Sequence, residues 1–207
     1  MKRLFKALCA AFLISSIIST VTFANECKDI SNKVLRFHVL ANSDSEDDQS
    51  LKIKVRDAVL EYSKELFDKA DSKESTIGIA ADNIDGIIAT AQNEVYKNGY
   101  DYKVSGYITK MYFTTREYDA YTLPAGKYDA VRLLIGSGKG KNWWCVMFPM
   151  LCVPCAENKT ELDDVLNSDE MDIVESGEKY EIKFKIVEIY QGIMSWLEKI
   201  NINTNNH

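Results

Sequence analysis

The stretch Tyr128 to Cys155, YDAVRLLIGSGKGKNWWCVMFPMLCVPC, decides the reading of this chain. Two apolar runs, Ala130 to Ile135 and Trp143 to Phe148, flank a Gly/Lys loop that begins at Gly136. Each run is short, β-branched or aromatic, and bounded by turn residues, so each predicts a strand with little exposure. Together they predict a hairpin over about 128–148, in the middle of an antiparallel or mixed sheet. Pro149 and Pro154 stop the second strand and force an irregular path through the cysteines.

Outward from this core, the same periodicity arguments predict an α+β fold. Val34 to Ala41, VLRFHVLA, alternates as a first strand. Ser45 or Asp44 caps a following helix over about 47–69. Glu46, Asp47 and Asp48 fall in its first turn, where the helix dipole favours negative charge. Leu51, Val55, Val59, Tyr62 and Leu66 form one apolar stripe, opposite Lys52, Lys54, Arg56 and Lys64. A second helix is expected over about 73–97, weakened at Asp82-Asn83 and Gly86 and closed by Asn98-Gly99. Tyr100 to Thr114 reads as a strand, and Pro124 and Gly126 as a type I turn. Glu161 to Asn167 is expected as a short helix and Asp169 to Gly177 as an acidic loop. From Glu181 to Ile200 an extended entry, with Ile182, Phe184 and Ile186 alternating, leads into a C-terminal helix. Asn201 to His207 is a polar tail expected to fray.

The N-terminal residues place Lys2, Arg3 and Lys6 before an uncharged run from Ala7 to Ala24 that closes on Thr22-Phe23-Ala24. This pattern predicts a secretory signal peptide over 1–24, cleaved after Ala24. An uncleaved anchor is the other reading, set against an apolar centre of roughly thirteen residues where a span takes about 20. Residues 25–207 are expected as a single exported domain with its ordered core over about 33–200, since no Pro/Gly/Ser-rich linker or repeat divides them. Loss of three leader cations from 25 Lys+Arg leaves 22 against 31 Asp+Glu, a net charge of −9. Such a chain does not adhere by charge to nucleic acid or to an anionic membrane surface.

Asp44, Glu46 and Asp48 alternate as in a calcium loop, but the central Gly and distal Glu of such a loop are missing. GSGKGKN, Gly136 to Asn142, could cradle phosphate only if a helix followed, and WWCVMF predicts a strand instead. Cys145 and His38 are the only plausible nucleophile and base for a thiol hydrolase or cell-wall enzyme. Both sit in apolar strands, where a hydrogen-bonded structural His38 near Asn42, Ser43 or Asp44 is the better account. Cys27, Cys145, Cys152 and Cys155 remain after export, and four cysteines allow three disulfide connectivities. Cys152 to Cys155 has CxxC spacing without the helix start that redox catalysis uses. Trp143 and Trp144 point to opposite faces of their strand, so one of them is exposed unless both faces are covered. No residue set implies a cofactor or a metal.

VLRFHVLANSDS with Asp48-Gln49, Leu51-Lys52 and Val55-Arg56-Asp57, and then LPAGKYDAVRLLIGSGKGKNWWCVMFP with Leu151-Cys152, resembles the stage II sporulation protein R family. The two blocks cover 34–60 and 123–152. Met150, where that pattern has proline, and Cys27 and Cys155, which look additional, depart from it. The resemblance implies a signalling ligand, not an enzyme, made in the forespore and exported into the space between the septal membranes. Its partner there is a membrane-embedded aspartic protease that processes the sigma-E precursor. The resemblance also favours pairing Cys145 with Cys152, leaving Cys27 and Cys155 for each other or free. Gly138, Lys139, Gly140, Lys141 and Asn142, with Trp143 or Trp144, are the expected receptor contacts, because the loop that begins at Gly136 spends three glycines and two lysines, more than a turn requires.

Overall fold

A computed structural model describes residues 2–68, 70–118, 120–151 and 162–205, with side chains of the last helix described to residue 193. The chain packs as two compact units. One comprises Met1–Asn32, Tyr112–Lys127 and Asn167–His207, and the other Lys33–Met111 and Tyr128–Leu166.

The second unit is built on a four-stranded sheet in the order β2 (Val104–Phe113), β5 (Gly126–Ile135), β1 (Leu35–Leu40), β6 (Asn142–Phe148). Strand β1 runs parallel to β5 and antiparallel to β6. The sheet is therefore mixed, as expected, but β5 and β6 do not form the expected hairpin; β1 lies between them. Local signals see only two strands joined by a short Gly-rich loop. The insertion rests on a strand some ninety residues earlier whose two faces are both buried. Bridging one intervening strand means crossing two strand spacings, about 10 Å. The loop from Gly136 to Lys141 does this with left-handed backbone at Gly136 (φ 58°) and Gly138 (φ 61°).

One face of the sheet carries Leu35, Phe37, Val39, Val131, Leu133, Ile135, Cys145 and Met147 into a core shared with Leu51, Val55, Val59, Ile87, Ala91 and Val95. These last residues come from helices α2 (Glu46–Phe67) and α4 (Ile84–Lys97). Ser45 caps α2, its side chain accepting from the Asp48 N–H. The long second helix is broken as its sequence implies, into α3 (Lys73–Asp82) and α4, with Asn83 between. Gly99 then ends α4 with φ 82°. The opposite sheet face is not solvated: Arg36 is fully buried, its Nε donating to the Cys145 carbonyl (3.1 Å) and its guanidinium lying over the Tyr128 ring.

The first unit holds α1 (Lys2–Lys33), a two-stranded ribbon of β3 (Arg116–Glu117) and β4 (Thr122–Leu123), α6 (Ser168–Glu175), a 3-10 turn (Gly177–Tyr180) and α7 (Glu181–Asn205). Helix α5 (Leu162–Val165) belongs to the second unit. Two expectations are corrected in the first unit. The acidic segment is a helix, because Asn167 and Glu170 form a reciprocal capping box. Asn167 Oδ1 accepts from the Asp169 and Glu170 N–H groups, and Glu170 Oε2 accepts from the Asn167 N–H. The extended entry at Glu181 is also helical: Phe184 and Val187, three apart, are buried, whereas Ile182 and Ile186 of the apparent alternation are exposed.

Candidate functional site

The loop nominated for receptor contact and the turn nominated as structural come together as one hydrogen-bonded lock. The loop passes over the C-terminal end of β1, where the turn Ala41 to Asp44 begins. Ser137 donates its backbone N–H to Asn42 Oδ1 (3.0 Å) and its hydroxyl to the Asn42 carbonyl (2.6 Å). The Gly140 N–H donates to the Ala41 carbonyl (2.9 Å), and the Lys141 N–H to Asp44 Oδ1 (2.6 Å). From below, Lys52 of α2 donates to the Lys141 carbonyl (3.0 Å) and to Gln49 Oε1 (2.6 Å). Gln49 in turn donates to the Ser43 carbonyl (2.8 Å).

Asp48 is the hub of the turn. It accepts from Asn42 Nδ2 (2.9 Å), from the Ser43 hydroxyl (2.6 Å) and from Tyr102. Burial works to raise its pKa, but these donors outweigh burial and hold the carboxyl below its ordinary range. The acidic run after β1 thus has specific work: Asp44 fixes the loop and Asp48 fixes the turn. Replacing Asp48 by Ala strands two or three donors in a part-buried site, and is expected to cost about 2 kcal/mol of unfolding free energy, read by urea denaturation. A loss under about 0.5 kcal/mol would mean that water replaces the carboxylate without penalty.

Glycine placement explains why the loop fits. A Cβ on Gly140 would lie 2.1 Å from the Ser43 carbonyl oxygen, and one on Gly136 would lie 2.4 Å from Asn42 Oδ1. Gly140 is buried, so of the nominated contact residues it belongs to the lock and not to an accessible surface. Lys139, Lys141 and Asn142 are exposed, and Gly138, Trp143 and Trp144 are half-buried. The two tryptophans share exposure, one on each face. Trp143 lies under the Arg56 guanidinium of α2 (4.2 Å to the ring centroid), and Trp144 stacks flat on His38 at 4.0 Å.

His38 is structural in a different way from that expected. It is buried, and its Nε2–H donates to Asn142 Oδ1 (2.7 Å), at the end of the loop, instead of bonding within the Asn42 to Asp44 turn. Burial, with the positive charges of Arg132 and Arg36, pushes its pKa down to about 4 against the pull of the Asn142 bond. It is therefore a neutral imidazole at physiological pH.

The thiol-enzyme pairing of Cys145 with His38 is not assembled. In the β1–β6 register Phe37 faces Cys145 and His38 faces Trp144. Neighbours along a strand alternate faces, so the His38 ring and the Cys145 sulfur lie on opposite sides of the sheet. Cys145 is, moreover, disulfide-bonded. Cys27 is a free, buried thiol whose pKa burial pushes up to about 12. Cys152 and Cys155, and with them the expected Cys145–Cys152 bond and the redox reading of the CxxC, lie outside the described residues. Sequence reasoning missed Ser137, Gln49 and Arg36 in this setting, and gave Asp48 and Lys52 other roles. Only the three closely spaced glycines signalled that backbone approaches backbone here.

Fold and site together define a mixed-sheet α+β protein whose best-built polar site is a structural lock presenting a short basic loop. The chain belongs to the stage II sporulation protein R family, whose model matches residues 31–159. A curated relative, "Stage II sporulation protein R" of Bacillus subtilis (strain 168), is 37% identical over 123 residues, 59% of this chain and 55% of the relative. The match thus spans about half the length of that relative. No solved structure matches the chain. The family ties the chain to sporulation, under a name that describes a sporulation protein and no enzymatic reaction.

Proposed function

We propose that this protein is an intercellular signal of sporulation, exported from the forespore into the space between the septal membranes. There it activates a membrane-embedded aspartic protease that processes the sigma-E precursor. The observation that carries the reading is the lock, joined to family membership. Two exposed lysines, Lys139 and Lys141, are held in fixed positions on an otherwise acidic chain, beside the half-exposed Trp144. A pinned loop loses little conformational entropy on docking, and an aromatic at its edge supplies buried area that charge alone cannot. The cations suit an acidic extracytoplasmic segment of the protease.

The test is charge reversal at both lysines. Their ammonium groups are exposed, so Lys139→Glu with Lys141→Glu is expected to change stability by no more than about 0.5 kcal/mol. Precursor processing in sporulating cells is expected to fall at least about tenfold, the equivalent of about 1.4 kcal/mol of lost contact. A double variant that accumulates normally and supports processing at the normal rate removes these lysines from the interface.

A further inference from the structure

We infer that the receptor surface extends from the basic loop across the adjoining sheet face, where Arg132 anchors a carboxylate on an acidic peptide segment of the protease. The inference rests on the reading of this chain as a contact activator, and it names what the interface holds besides Lys139 and Lys141.

The topology builds this surface. His38 of β1 lies opposite Arg132 of β5 on one side and opposite Trp144 of β6 on the other. Partners directly across neighbouring strands share a face. Arg132, His38 and Trp144 therefore form a row on the face turned away from α2 and α4. Strand β2 adjoins β5 beyond Arg132, and its Tyr107 ends the row, with the Arg132 guanidinium 5.8 Å from the ring centroid. From β2 to β6 the row crosses three strand spacings, about 14 Å. It is partly open: Tyr107 is 42% exposed, and Arg132 and Trp144 are half-buried. The buried His38 ring, flat against Trp144, fixes the indole in place, and its bond to the exposed Asn142 joins the row to the basic loop.

Arg132 is the unsatisfied member of the row. Its Nε is buried with no hydrogen-bond partner, and among the described residues no carboxylate pairs with its guanidinium. On the same strand, Asp129 is already committed to Lys73 at 2.8 Å. The charges that act on the neighbouring His38 ring, Arg132 and Arg36, are both positive. A buried N–H left unmade is costly, and a guanidinium takes a carboxylate through two parallel N–H bonds, so a partner's carboxylate supplies bond and charge together. An Arg between a Trp and a Tyr is also the composition of an interface hot spot. With Lys139 and Lys141 on the adjoining loop, the whole surface calls for an acidic segment.

The experiment titrates the full chain, tagged at its C-terminus, against the detergent-solubilised septal protease, and reads binding without reading precursor cleavage. Arg132→Gln is expected to weaken binding at least about tenfold. Arg132→Lys, which keeps the charge and loses the fork, is expected to weaken it less. Both melting midpoints are expected within about 3 °C of the wild type, since no bond to Arg132 is lost. Arg132→Gln binding as tightly as the wild type overturns the inference; the loop reading then stands if Lys139→Glu with Lys141→Glu still loses binding. A wild-type chain that does not bind the protease overturns both. An Arg132→Gln midpoint about 10 °C lower would make Arg132 a support of the fold and overturn the inference as well. So would retention of the wild type on purified peptidoglycan that Arg132→Gln abolishes, since the occupant would then be a glycan.

Discussion

Gly140→Ala is expected to lower the unfolding free energy by about 3 kcal/mol and to abolish signalling at the temperature of sporulation. The added methyl would meet backbone on the partner segment, 2.1 Å from the Ser43 carbonyl oxygen and 2.6 Å from its carbon, so no side chain can swing away to receive it. Loop and turn must separate, and the bonds from Gly140 to Ala41 and from Lys141 to Asp44 are lost with them. Gly78 is the control. It lies in α3 with nothing within 4 Å of a built Cβ, so Gly78→Ala is expected to leave stability unchanged or raise it by up to about 1 kcal/mol. Urea titration of both variants decides the point. Equal stabilities would mean that the lock gives way at no cost and presents nothing rigid.

Acid is expected to act on His38 next. The unfolded chain binds a proton on this ring near pH 6.5, whereas burial delays that proton in the folded protein to about pH 4. Above pH 6.5 neither state is protonated there and the neutral ring carries no penalty. As pH falls from 6.5 through 4 the unfolded state gains the proton first, and on the order of 3 kcal/mol of stability is lost. Carboxylates titrate at the lower end of this window, so the quantity to measure is the difference between the wild type and His38→Gln. The variant is expected to be less stable at neutral pH, because it loses the stack on Trp144, and to lack the wild type's extra slope from 6.5 to 4. Identical slopes would place the proton elsewhere. A folded His38→Gln protein that accumulates normally yet signals not at all would make His38 a contact residue instead of a support.

The parts of this structure that sequence made legible are those that local physics controls. The stripe from Leu51 to Leu66 dictates α2, Ser45 caps it, and Asn83 breaks the next helix where helix-breaking residues gather. Over Asp169 to Gly177 acidity suggests a loop and masks a capping signature, Asn167 with Glu170, that the sequence does contain. The placement of β1 between β5 and β6 could not be read in the same manner. LRFHVL holds Arg36 and His38, which mark a polar face on a strand considered alone. Only the assembled sheet reveals that Tyr128, Cys145 and Asn142 supply partners that let both be buried. The site was half legible: GSGKGKN stood out as more glycine than a turn needs, and NSDSEDD as a helix start. That the two segments bind each other is a consequence of β1 lying between the strands, so it became visible only with the topology.

We propose above that this chain activates a membrane-embedded aspartic protease by contact. It is tested most directly by co-expressing the full chain with the septal protease and the sigma-E precursor in a bacterium that does not sporulate, and following the length of the precursor. Shortened precursor is expected only when all three proteins are present, and full-length precursor when Lys139→Glu with Lys141→Glu replaces the wild-type chain. Precursor that stays full length while all three accumulate and the chain is exported would contradict it.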